Sequence, residues 1–107
     1  MYIAVTDPGQ NGGDFVVFNL TKSKRGPKAL TFKVGEHSFI TKYDSDVNFG
    51  DGMIVSLASI TTEIAYRKAF PDAPMSVGQV ERIARLAKDH PAVSREIQQL
   101  IKSQWKF

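Results

Sequence analysis

Side chains able to meet a polyanion are the most prominent chemical feature of this chain. Between Phe15 and Gly35 stand five bases, Lys22, Lys24, Arg25, Lys28 and Lys33, with no acid among them. Four of these crowd the stretch Lys22-Ser23-Lys24-Arg25-Gly26-Pro27-Lys28, where Gly26-Pro27 marks a loop. A hairpin tip of this kind can follow a phosphate backbone, releasing condensed counterions as it binds. A second polar and basic set lies further along at Arg82, Arg85, Ser94, Arg95, Gln98 and Lys102. Arg and Lys there can contact phosphates, and Arg or Gln can read base edges. From Glu36 to Glu63 the balance reverses, with Glu36, Asp44, Asp46, Asp51 and Glu63 against Lys42 alone. The net charge of +3 is therefore distributed unevenly, as expected for a polarised surface. The same charges also serve ordinary solubility.

Covalent and metal chemistry has less to work with. The absence of cysteine removes thiolate nucleophiles, disulfides and Cys-ligated zinc. His37 and His90 are the only histidines and have no metal-ligand spacing. Gly12-Gly13 leads into a strand, not a helix, so it is no phosphate loop. Val5-Thr6-Asp7-Pro8-Gly9, followed by Gly12-Gly13, resembles the opening of Holliday-junction resolvases and their RNase H-fold relatives. That resemblance implies a magnesium-dependent nuclease with Asp7 as a metal-binding acid. Two-metal phosphate chemistry needs several converging carboxylates, and none stands at a recognisable position. Asp-Pro-Gly is also a turn signature in its own right, so Asp7 is assigned to a turn. Asp44-Ser45-Asp46-Val47-Asn48-Phe49-Gly50-Asp51 looks like a calcium loop, but Phe49 and Val55 occupy the sixth and twelfth positions, where an EF-hand needs glycine and glutamate. It reads as a polar loop leading to a helix capped by Asn48 or Asp51. No catalytic residue, metal site or cofactor is expected.

Ile83-Ala84-Arg85-Leu86-Ala87-Lys88-Asp89-His90-Pro91-Ala92-Val93-Ser94-Arg95-Glu96-Ile97 resembles the helix-turn-helix of lactose-repressor-type regulators. The resemblance implies a bracing first helix and a second helix in the major groove, presenting Ser94, Arg95, Gln98, Gln99 and Lys102. The turn is one residue shorter than the family's, and Lys88 replaces its tight-turn glycine. Two amphipathic helices that merely cover a sheet give the same pattern, and that reading is preferred.

The elements that must position these residues follow from hydrophobic period. Strands are expected over residues 2–6, 15–20, 30–34 and 37–43, forming an antiparallel meander. Phe15-Val16-Val17-Phe18 marks a central strand covered on both faces, and Gly35-Glu36 a Gly-X turn. Phe39 and Tyr43 are expected inside. The period then becomes helical, placing helices within 53–69, 77–89 and 91–104. Ser76 and Gln79 have capping-box spacing, Val77, Val80, Ile83, Ala84 and Ala87 form an inward stripe, and Pro91 suits a first helical turn. The expected fold is α+β, a four-stranded antiparallel sheet covered by two to three C-terminal helices.

With 107 residues, 42% of them hydrophobic, the chain supports one core and is read as a single domain, 1–107. No apolar run reaches the ~18 residues of a membrane span, and Met1-Tyr2-Ile3-Ala4-Val5-Thr6-Asp7 lacks a basic leader start, so a cytoplasmic protein is expected. Three functions fit in descending order. The first is a small non-catalytic nucleic-acid-binding protein using the basic loop and the last helices. The second is a protein-binding adaptor or inhibitor of the phage or mobile-element kind that meets a host protein. The third is the Asp7 nuclease.

Overall fold

Runs of β-branched and aromatic residues do form the sheet. The computed structural model describes residues 2–6, 13–24, 29–56 and 75–107. It contains strands β1 (Tyr2–Ala4), β2 (Asp14–Lys22), β3 (Thr31–Phe32) and β4 (Ser45–Ser56), then helices α1 (Val77–Ala87) and α2 (Arg95–Gln104). This is the expected α+β fold: one four-stranded antiparallel sheet followed by C-terminal helices. Its strand order is β1-β2-β4-β3, not that of a meander. β2 extends to Lys22, so the first residue of the basic stretch lies in a strand.

The fourth strand falls later than the hydrophobic period suggests. Residues 37–43 form turns and bends, while 45–56, expected as a loop and a helix start, form the longest strand. Gly35 adopts φ +91° and, with the Glu36 N–H donating to Lys33 O at 3.0 Å, closes a turn over 33–36. Gly35 N–H then donates to Ile40 O at 3.1 Å, and Ile40 N–H to His37 O at 3.1 Å, so the chain coils instead of extending. The His37 ring lies 5.2 Å from Phe39 and 5.6 Å from Phe32, Ile40 is buried, and Tyr43 points outward at 47% exposure. The remainder of the helix expected within 53–69 lies outside the described residues.

β2 is central, and Phe15, Val16, Val17 and Phe18 are all buried, as their unbroken apolar run requires. Val16 and Phe18 face the main core with Ile3, Phe32, Val47 and Phe49. Against them pack Ile83, Ala84 and Ala87 of α1 and Ile97 and Ile101 of α2. Ser94 caps α2, its Oγ accepting from Ile97 N–H at 3.3 Å. Pro91 precedes this helix in the interhelical turn and does not enter its first turn. Ser76 stands at the N-cap of α1 without a side-chain bond, and Gln79 accepts from Arg82 Nη1 at 2.7 Å, so the expected capping box is not made. Val77, expected inside, is 75% exposed.

Candidate nucleic-acid interface

The end of the β2–β3 connection is fixed by register. Lys22 pairs with Ser45 on one side of β4, and Phe32 pairs with Ser45 on the other. Directly opposed residues share a sheet face, so Lys22 lies on the face where Phe32 is buried, at its open end. Asp46, one residue on, ties the base of the basic connection together. Its Oδ1 accepts from Thr31 Oγ1 at 2.5 Å and its Oδ2 from Lys24 N–H at 3.0 Å, while Ser23 N–H donates to Asp44 O at 2.8 Å. Partial burial pushes the Asp46 carboxyl up, but the bonds from Thr31, Ser23 and Lys24 outweigh it and hold it below the ordinary value. Lys22 Nζ stands 6.0 Å from the centre of the Tyr43 ring, and both side chains are exposed. Lys24 is exposed too; Arg25 and Lys28 lie outside the described residues.

Helix α1 carries the cations onward from this row. The Arg82 guanidinium lies 5.9 Å from the Phe32 ring centre. One turn later Arg85 bonds Glu81 at 2.8 Å and stands 5.5 Å from the Phe107 ring. Lys88 joins the same ring at 5.3 Å while bonding Asp89 at 2.6 Å. Phe107 is 44% exposed and lies 6.5 Å from Trp105 in a stacked arrangement. Two strand spacings, about 10 Å, separate Lys22 from Phe32, and six helical rises, about 9 Å, separate Arg82 from Lys88. β2 and β3 flank β4 and run parallel, so the hairpin expected around the basic stretch is not formed; the cationic strip leads instead from the end of β2, by way of Phe32, to α1, with a half-exposed aromatic ring near each end.

Helix α2 leaves Arg95, Gln99 and Lys102 of the expected set exposed, while Ser94 and Gln98 are engaged. Ser94 is occupied in capping, and Gln98 Nε2 donates to His90 O at 2.9 Å, fastening the interhelical turn. Lys102 lies 3.4 Å from Asp89. The hydrogen bond from Lys88, opposed by slight desolvation and assisted by Lys102, holds the Asp89 carboxyl below its ordinary value. Arg95 is exposed. The structure thus links Lys22 and Arg82 through Phe32, whereas Ser94 and Gln98 are engaged with backbone groups.

Two members of the strip are not legible in the sequence. Strand alternation, which the chain does not adopt there, sends Tyr43 to the core, and Phe107 lies beyond the last periodic element. The signal for Phe107 is the alternation Trp105-Lys106-Phe107, in which a lysine separates two rings. Among the described residues no group of three or more His, Asp or Glu is arranged to hold a metal, and Asp7 lies outside them. Asp44, Asp46 and Asp51 do not form the calcium cradle that their spacing imitates; Asp46 and Asp51 instead lie along β4. No helix among the described residues is long and apolar enough to cross a membrane. No family model matches the chain, and no curated protein or solved structure matches it either.

Proposed function

We propose that this chain is a small non-catalytic nucleic-acid-binding protein that grips phosphates with the end of β2 and with α1, with α2 serving as a core helix. The observation that carries this reading is the row Lys22–Ser45–Phe32 with Arg82 over Phe32, which joins two basic segments far apart in sequence. Glu81 and Asp89 partly offset the strip, but exposed ion pairs are weak, screened by salt and yield readily to a phosphate. Substituting Lys22, Lys24, Arg82 and Arg85 with Ala is expected to weaken binding to all duplex sequences alike. It should also flatten the dependence of log K on log salt by roughly 0.9 for each phosphate that is no longer neutralised. Substituting Arg95 and Lys102 should flatten it less. Absence of any salt-sensitive affinity in the wild type at low ionic strength sinks the reading.

A second reading, a protein-binding adaptor or inhibitor of the phage or mobile-element kind, is favoured by a different place. An apolar cleft of about 340 Å³ opens between the end of β1 and the helices, lined by Val5, Met75, Val80 and Trp105, with exposed Val77 beside it. There the cationic substitutions would leave binding to the partner protein intact, and Val77→Asp would abolish it.

A further inference from the structure

We infer that the nucleic acid taken by this strip is single-stranded, with Tyr43 and Phe107 as the rings on which unpaired bases stack. The inference rests on the nucleic-acid reading and narrows its ligand class. Most large apolar side chains of the described segments are buried, yet these two rings are 47% and 44% exposed. Each is exposed with a cation over its ring. Lys22 lies 6.0 Å from the Tyr43 ring centre, and Arg85 and Lys88 lie 5.5 Å and 5.3 Å from that of Phe107.

A ring with a cation over its face suits one nucleotide of a single strand, because the base takes the ring as the flexible cation turns from it to the phosphate. A duplex offers no such use for the ring, since its base faces are already stacked on each other and only groove edges are presented. The partners of the strip also suit a ligand without fixed groove geometry. The Lys22 and Lys24 side chains are exposed at the end of β2, and in α2, whose sequence resembles a groove-reading helix, Ser94 and Gln98 are taken up by backbone groups. Trp105, by contrast, is held by its indole N–H on Val5 O at 2.6 Å, and its ring stacks with Phe107 at 6.5 Å.

The test compares a fluorescent oligothymidylate with a duplex of equal length, at several salt concentrations, for the wild type, Tyr43→Leu and Phe107→Leu. Leucine keeps apolar bulk and removes the π-face. The expected result is tighter binding of the single strand than of the duplex, by tenfold or more. Each leucine variant should drop roughly tenfold in single-strand affinity, with its salt slope and duplex affinity unchanged because the cations remain. Equal or stronger duplex binding overturns the inference while leaving the nucleic-acid reading standing, and so does full single-strand affinity in both variants. Failure of the wild type to bind either probe at low salt overturns both. Circular dichroism of the variants, expected to match the wild type, separates a missing stack from a failure to fold.

Discussion

At the scale of single residues, Asp46 shows how a basic segment is held without being neutralised. Its carboxylate spends its lone pairs on Thr31 and on the Lys24 backbone N–H, leaving the Lys24 ammonium exposed. Because the folded-state pKa is depressed below the unfolded value, the stabilisation is fully present above the unfolded pKa, about 3.9, and is lost as pH falls through the folded one. Asp46→Asn keeps the shape and removes the charge, so it should destabilise by about 1 kcal/mol or less at pH 7. Urea unfolding at pH 7 and again near pH 3 should show the difference shrinking as the wild-type carboxyl itself takes up a proton. An undiminished difference at acid pH would mean that charge has no part in the clamp. This role is hidden in the sequence for a physical reason. Asp44, Asp46, Asn48 and Asp51 are turn-forming types, and together they mask the alternation of Ser45, Val47 and Phe49, all buried, with Asp46 and Asn48.

At the scale of elements, β4 explains most of what is and is not legible. Lys22 pairs with Ser45 and Asn19 with Asn48 in step, yet Val17 pairs with Met53, so β4 contributes five steps to two of β2. The excess residues bulge at Phe49-Gly50-Asp51-Gly52, the stretch whose glycines suggest a loop. Gly52 is there because the Phe18 ring lies on it: a Cβ would meet Phe18 Cε1 at 2.5 Å and Cδ1 at 3.0 Å. Phe18 is fully buried and packs edge-on against Phe49 with ring centres 5.5 Å apart, so it has no room to retreat. Gly52→Ala should therefore destabilise by roughly 1–3 kcal/mol, as overpacking does. Gly50→Ala, whose Cβ would meet only Asn48 Oδ1 at 3.7 Å, should be nearly neutral. Thermal denaturation of both variants checks the pair, and equal effects would assign the glycines to backbone flexibility alone. The unbroken apolar run of β2 and the helical periods of α1 and α2 are legible because each is written within one element. The β2–β4 pairing is not, since it depends on a bulge that composition disguises as a turn.

At the scale of the whole molecule, the described ends of the chain are joined by one side chain. Trp105, beyond the last turn of α2, donates its indole N–H to Val5 O at 2.6 Å, across a sequence separation of 100 residues. Val5 is itself tied into the sheet by its N–H on Val16 O at 2.9 Å, and the next residue's Thr6 Oγ1 accepts from Val16 N–H at 2.8 Å. The indole thus fastens α2 to the β1–β2 edge. It also places Phe107 beside Arg85 and Lys88, so helix docking and the cationic strip share a support. Trp105→Phe preserves an aromatic ring and removes only the donor, leaving a partly buried carbonyl without its partner. Such a change costs about 1–2 kcal/mol, which in a domain of this size lowers Tm by roughly 4–8 °C for each kcal/mol. Circular dichroism should show that drop with an unchanged denaturant m-value, because the surface exposed on unfolding is the same. If Trp105→Phe melts with the wild type while Trp105→Ala is severely destabilised, the residue fastens α2 by bulk alone, and the hydrogen bond to Val5 contributes nothing to the closure.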